Sequence, residues 1–406
     1  MSATITNEQF ALEVKEFIDK FGKKYGQSEA REAKQSPTRI LIPLVSGSGL
    51  SLKEEALAVE KSRMLQRDLF EVGLGWISGP IDIGGRGLSS EYSRILSSEL
   101  VANGFPDNSL IRTGTQVIGP SLDRYGNEVI RRQRLPKIHR GDELVCQLFS
   151  EPEAGSDLAN IKTRADRKSS GWVLNGQKVW SSGALHSDLG LCVVRTDEGS
   201  VKHAGLSVFL IDMKSKGIDV RKIRQMTGGA EFCEVFLTDV FVDQEHLVGT
   251  LGDGWRVVID VLMNERSSIG SELLPSEELI ELLLKLCREL SESSSVTRDA
   301  LASLVISYKV TKMLTQRLAS NYQEGEVPGP EMALTKIAIC TVMSQMSQVA
   351  GLLLGPKIVA DSGYPEAYAW SEFILGAPGM RIGGGTDEVL KNGIAERVLG
   401  MPRKLQ

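Results

Sequence analysis

Three stretches of this 406-residue sequence carry residue types that could do chemistry. The first runs from Cys146 to Ser182. It reads Cys-Gln-Leu-Phe-Ser-Glu-Pro-Glu-Ala-Gly-Ser-Asp-Leu-Ala over 146–159 and Asn-Gly-Gln-Lys-Val-Trp-Ser-Ser over 175–182. Pro152, Gly155, Ser156 and Asp157 favour chain reversal and exposed donors. Asn175-Gly176 lies between the apolar runs Trp172–Leu174 and Lys178–Trp180, a pattern that predicts a tight hairpin. Two β segments so joined bring the hydroxyls of Ser150, Ser156, Ser181 and Ser182 beside the indole of Trp180. Both a ligand site and a polar turn region with a core tryptophan fit these residues.

The second stretch is Gly254–Gly270. Helical spacing puts Val258, Leu262, Glu265 and Ile269 on one stripe. A carboxylate inside an apolar stripe is costly unless it is paired or functional. Glu265 is therefore either half of an ion pair on the helix surface or an acid–base group. The third stretch is Arg-Ile-Gly-Gly-Gly-Thr-Asp-Glu over 381–388. Its glycines end a loop, and Thr386 or Asp387 caps a helix whose first turn carries Glu388.

The elements that must position these residues follow from the rest of the chain. Residues 1–143 read as helical, with amphipathic spacing in Glu8–Phe21, Leu52–Val72 and Ser89–Asn103, and a break at Gly84–Gly87. Residues 144–247 change to short β-type runs: Leu144–Phe149, the two arms of the hairpin, Leu189–Arg195, Gly205–Ile211 and Glu234–Asp243. They predict a compact antiparallel β domain. Helical periodicity returns over 248–406, with loops expected at Ser291–Ser295 and Gly325–Pro330. The expected class is α+β, mostly α.

Composition narrows the function classes. A net charge of −5 argues against nucleic-acid binding, and the basic cluster Arg131–Arg140 reads as a solvated helix face. No uninterrupted apolar run reaches the ~18 residues of a membrane span. Five scattered cysteines without a Cys-x-x-Cys pair fit reduced thiols in a cytoplasmic protein. Isolated histidines give no metal site. Neither a Gly-x-Gly-x-x-Gly turn nor a Gly-Lys-Ser/Thr loop supports a dinucleotide or mononucleotide fold.

The pair Glu-Pro-x-Ala-Gly-Ser-Asp and Asn-Gly-x-Lys-x-Trp-x-Ser, in this order and at this separation, resembles the flavin-binding segments of the acyl-CoA dehydrogenase family. The resemblance covers nearly the whole chain and implies a helical N-terminal domain, a β domain and a C-terminal helical bundle. It also implies FAD, with contacts from Gln147, Phe149, Ser150, Ser156, Trp180, Ser182, Thr386 and Glu388. Ser182 stands where the family usually has threonine, and Ile83 replaces an aromatic residue in the Pro80–Gly85 turn.

Many members carry their catalytic glutamate where Gly384 stands here. A second group, including isovaleryl- and long-chain-specific types, supplies it from the helix after the β domain, where this chain has Glu265. The resemblance then implies α-proton abstraction by Glu265 and hydride transfer to flavin N5, giving a trans-2-enoyl-CoA. The Gly384 backbone N–H and an FAD ribityl hydroxyl would bind the thioester carbonyl. Ser156 and Arg266 are expected at the acyl-CoA substrate. Electrons would pass to an electron-transfer flavoprotein. The family's Arg-x-x-Phe-Gly interface motif has no counterpart between Ser271 and Leu301, although Arg298 could replace its arginine. Homodimer, homotetramer and hetero-oligomer are thus all open. Two other readings stand beside the dehydrogenase: an oxidase or flavin monooxygenase of the same fold, and a non-catalytic, FAD-poor subunit.

Overall fold

The computed structural model describes residues 5–25, 52–106, 109–197, 199–200, 202–270, 274–290, 294–320, 329–360 and 367–402. Parts of both expected loops, 291–293 and 325–328, lie outside the described residues. Two compact units emerge. One comprises the described residues as far as Asn264 apart from 225–229, and the other comprises Glu265 onwards together with 225–229.

The first unit opens with helices α1 (Asn7–Tyr25), α2 (Leu52–Glu71) and α3 (Ser90–Ala102) and continues through the short helices α4 (Ser109–Arg112), α5 (Gly119–Tyr125), α6 (Glu128–Gln133) and α7 (Leu135–Arg140). Phe10, Val14, Phe17 and Ile18 on α1 are buried against Leu65, Leu69 and Leu96, as their spacing predicts. Ser89 caps α3 by accepting from the Glu91 amide. The glycine break is a close backbone crossing, since a Cβ on Gly85 would stand 2.1 Å from the Gly79 carbonyl carbon. Ile83 is buried in the core with Trp76, which accommodates the missing aromatic. The basic cluster is partnered: Arg131 reaches Asp123, Arg134 reaches Glu143 and Arg140 reaches Glu71.

Eight strands form one sheet among the described residues: β1 (Val145–Leu148), β2 (Arg164–Arg167), β3 (Gly171–Ser182), β4 (Leu189–Arg195), β5 (Leu206–Asp212), β6 (Ile218–Ile223), β7 (Phe232–Asp243) and β8 (Leu247–Val248). Their order is β6-β7-β3-β2-β4-β5-β8, with β1 also on β4. Most pairs are antiparallel, but β1 and β2 both run parallel to β4, which an all-antiparallel reading misses.

The expected hairpin at Asn175-Gly176 is not there. β3 runs straight through, and its hairpin partner is β2, joined where the Lys168 amide meets the Gly171 carbonyl at 2.8 Å. Asn175-Gly176 instead lies opposite a bulge in β7, where Thr238 and Asp239 both face Asn175 and the register shifts. The Asn175 side chain exchanges two hydrogen bonds with Asp239 of β7, so it locks the bulge rather than a turn. Thr163 packs so close that a Cβ on Gly176 would lie 2.3 Å from its Oγ1. Tertiary contact overrides the local turn signal.

Helix α8 (Gly254–Gly270) carries the chain out of the first unit. Its early turns are anchored there by a polar cluster. Asp260, buried, accepts from Ser121 at 2.7 Å and pairs with Arg124, while the Asn264 amide donates to Ser121 Oγ and to the Val117 carbonyl. Val117 lies in a π-helical turn, Thr113–Ile118, just before Pro120. Proline has no amide hydrogen and crowds the carbonyl four residues back, so a widened turn is a natural way to accommodate it.

The second unit is helical: α9 (Glu277–Glu289), α10 (Ser295–Ser320), α11 (Ala333–Leu354), α12 (Ala367–Met380) and α13 (Asp387–Arg397). Its core joins Leu283, Leu304, Met346, Trp370 and Phe373. The segment Pro330–Val359 holds an 18-residue window of mean hydropathy 1.6, long and apolar enough to cross a membrane although polar residues interrupt it. Half of that window is buried, and Val342, Met343, Met346 and Val349 lie in the helical core, which accounts for its apolarity.

One buried interaction joins the two motif segments of the first unit. Lys178 on β3 is fully buried and donates to Glu151 Oε1 at 2.8 Å and to the Phe149 carbonyl at 3.1 Å. Glu151 also accepts from the amides of Lys162 and Thr163, at 2.6 and 2.9 Å. Burial pushes the Glu151 carboxyl upward, but the Lys178 ammonium and these donors outweigh it and hold it below the ordinary carboxylate range. Removing one partner of such a pair leaves a buried charge uncompensated. Lys178→Met is therefore expected to cost about 3–5 kcal/mol at neutral pH. A folded-state pKa depressed below the unfolded value of about 4.3 gives stability that is lost as pH falls through it. Urea unfolding at pH 7 and again below pH 4 should show the gap between parent and variant narrowing on acidification. An equal gap at both pH values would contradict this role for the pair.

Candidate active site

The first group of predicted residues surrounds the end of β3. Trp180 sits in a second bulge, where pairing with β7 shifts between Lys178 and Ser181. Its backbone is left-handed, at φ 61°, and its indole is 57% exposed with one edge on Phe232. A non-glycine residue in that conformation costs on the order of 1–3 kcal/mol and such strain concentrates at functional sites. The bulge turns a large aromatic outward that strand alternation would not otherwise present.

The hydroxyls fall around it. The Ser150 carbonyl accepts from the Val179 amide at 2.9 Å, which brings Ser150 alongside the bulge. Ser182 is exposed two residues beyond Trp180. Ser181 is buried, and its hydroxyl has no hydrogen-bond partner among the described residues. Ser156 is exposed just past a turn closed by reciprocal bonds between Glu151 and Ala154. Gln147 is half-buried on β1 opposite Leu191. Phe149 is the exception: its ring belongs to the core, so any ligand contact from it must come from the backbone. An outward indole with serine hydroxyls around it suits a flat, polar-edged ring such as isoalloxazine.

The second group lies wholly in the helical unit. After α12, the loop 381–386 carries two successive glycines at positive φ, Gly384 at 67° and Gly385 at 101°. Thr386 caps α13 by accepting from the Val389 amide at 3.2 Å, which decides between the two expected capping residues. Asp387, buried, is paired with Arg381 at 2.7 Å and pins the far side of the loop. Glu388 is exposed on the first turn of α13.

Glu265, half-buried near the end of α8, faces this loop. A Cβ placed on Gly384 would lie 3.4 Å from Glu265 Oε1. The structure thus brings together Glu265 and Gly384, which the family resemblance had picked out as the alternative sources of a base. Among the described residues no backbone carbonyl takes the Gly384 N–H. Next door, a Cβ on Gly385 would lie 3.9 Å from Arg266 Nη2. Burial lowers the affinity of the Arg266 guanidinium for its proton, Glu265 opposes this and Arg397 adds to it. Arg298 is exposed on the first turn of α10. An open depression of about 610 Å³ lined by Ser295, Asp299, Gln345 and Gln348 shares no residue with the site expected from sequence.

Three residues that hold the site escaped the sequence reading. Lys178 and Glu151 were visible as motif letters. The signal for their pairing was a lysine in the inward register set by Trp172 and Leu174. Lys336 on α11 donates to the carbonyls of Gly383 and Gly385. It lies 47 residues before Gly383, and no local pattern marks it.

Comparison with known proteins gives a consistent answer. Models of the N-terminal, middle and C-terminal acyl-CoA dehydrogenase domains match residues 45–142, 146–240 and 252–399. Acyl-CoA dehydrogenase IpdE1 of Mycobacterium tuberculosis is 35% identical over 357 residues, covering 86% of this chain and 90% of the relative. The solved Tcur3481–Tcur3483 steroid ACAD aligns with a TM-score of 0.76 at 24% identity, over 98% of this chain and 99% of that one. The ChsE4–ChsE5 complex from Mycobacterium tuberculosis aligns at 0.74 and 25% identity, over the full length of both chains. With all three domain models matched in order, and a relative of this identity along most of its length, the chain belongs to the acyl-CoA dehydrogenase family.

Proposed function

We propose that this chain performs the α,β-dehydrogenation of an acyl-CoA thioester with Glu265 as the base. Family membership makes it an oxidoreductase acting on acyl-CoA, with FAD as cofactor. The observation that carries the choice of base is the 3.4 Å between Glu265 Oε1 and the Cβ position of Gly384. A carboxylate stands over the position where many members of the family carry one, and this chain has only hydrogen there.

In this reading the thioester carbonyl accepts a hydrogen bond from the Gly384 N–H, an oxyanion-type donor that strengthens as negative charge grows on the oxygen. Glu265 removes the α-proton while half-buried, where its charge is less screened than in water. Bound FAD supplies the acceptor for the β-hydride. Ser150, Ser156 and Ser182 offer hydroxyls to it, and Trp180 walls one face. Arg266, at the rim of the glycine loop, is assigned to the thioester side of the CoA. An electron-transfer flavoprotein is the proposed electron acceptor, and the functional unit is an oligomer. Solved structures of similar fold include a steroid ACAD and a glutaryl-CoA dehydrogenase complex with glutaryl-CoA. Straight-chain, branched, dicarboxylic and steroid side-chain thioesters therefore belong in one anaerobic panel.

The purified protein should be yellow, with about one FAD per chain, and one class in that panel should bleach its flavin absorbance. Colourless protein that stays so in excess FAD would point to an inactive subunit. With the reactive thioester, Glu265→Gln should keep FAD and acyl-CoA binding but slow flavin reduction by about 10²–10⁴-fold. Reduction at the parent rate would make Glu265 structural. Turnover should be fast with electron-transfer flavoprotein and slow in air, and stoichiometric peroxide at full rate would favour an oxidase.

A further inference from the structure

The glycine loop is held by a cation, and the place where that cation binds bears on the chemistry. Lys336 Nζ donates to the carbonyl oxygens of Gly383 and Gly385. The Gly383 carbonyl and the Gly384 N–H belong to one peptide unit. That peptide is trans, as are all peptide bonds described, so the two groups point in opposite directions across the same conjugated plane. A cation on the oxygen draws electron density out of the amide and leaves its N–H a stronger donor.

We propose that Lys336 is a positioning residue for the dehydrogenation, polarising the 383–384 peptide so that the Gly384 N–H better stabilises the enolate formed when the α-proton leaves. The inference rests on the proposed function of the same site.

The surroundings support it. Lys336 is half-buried, and burial draws its ammonium below the ordinary lysine range, while Cys340, Asp387 and Glu265 oppose the shift and Arg266 adds to it. A partly desolvated cation acts on its neighbours more strongly than one in open water. The loop has other tethers: the Gly383 amide reaches the Gly379 carbonyl at 2.9 Å, the Asp387 amide reaches the Arg381 carbonyl, and Arg381 pairs with Asp387. Mere anchoring is thus shared among several groups, whereas only Lys336, among the described residues, places a charge on the carbonyl opposite the Gly384 N–H.

The test uses the FAD-loaded enzyme with acetoacetyl-CoA, whose acidic α-carbon ionises to an enolate with its own ultraviolet absorbance, and with S-butyl-CoA, a thioether without the carbonyl. Ionisation of bound acetoacetyl-CoA is titrated against pH in the parent, Lys336→Gln and Lys336→Met. Glutamine keeps a donor but no charge, and methionine keeps neither. A direct oxyanion donor contributes on the order of 10²–10³-fold. A group acting through the peptide should contribute less, so about a tenfold loss of enolate, or roughly one pH unit, is expected in both variants. FAD content and S-butyl-CoA affinity should hold. Unchanged ionisation in both variants overturns the proposal. So does full recovery by glutamine, or an equal loss of both ligands, since either means that Lys336 only anchors the loop. A parent enzyme whose flavin is reduced by no thioester refutes the proposed function instead.

Discussion

The constraint on which the two motif segments of the first unit depend is the buried contact between Lys178 and Glu151. Neither residue is expected to touch the cofactor, yet each belongs to one of the two motifs that are. An ammonium at 0% side-chain exposure is tolerated only because a carboxylate and a carbonyl meet it. That requirement sets the distance between the turn after β1 and the end of β3, and hence between Ser150 and the Trp180 bulge. The bulge has its own cost, a left-handed backbone at a tryptophan. It persists because the strands and the ion pair on either side over-determine it.

The helical unit solves a different problem. A base must reach a carbon beside a thioester, and a donor must meet the carbonyl on that thioester. Two consecutive glycines at positive φ shape the loop and leave no side chain at 384, where a Cβ would lie 3.4 Å from Glu265 Oε1. Where other members of the family place a carboxylate on this loop, here the carboxylate comes from α8. Its earlier turns are tied down by Asp260 and Asn264. In the proposed function the acid–base group is Glu265, moved from loop to helix.

Much of this was legible in the sequence, and the failures have physical causes. The strand Leu189–Arg195 followed from its continuous apolar run, buried on both faces, and the buried face of α1 from its helical spacing. Strand β2 was missed because three of its four residues are exposed and charged, and β6 because it is half-exposed throughout. Asn175-Gly176 misled because the turn signal is local, whereas the lock from Asp239 comes from a strand 64 residues away. The proposed site residues stand out by chemical type and motif order. The residues that hold them in place do not, since a lysine on a distant helix carries no mark of the carbonyl it will meet.

Removal of the α-proton by Glu265 can be measured directly. A 3-thiaacyl-CoA carries sulfur in place of the β-carbon and cannot give up a β-hydride, so proton removal can be watched without oxidation. In D2O the FAD-loaded parent should exchange the α-hydrogens of 3-thiaoctanoyl-CoA for deuterium, followed by mass spectrometry, and Glu265→Gln should bind the same thioester yet exchange it at least a hundredfold more slowly. Deuterium entering at the parent rate in that variant would place the base elsewhere and contradict the account.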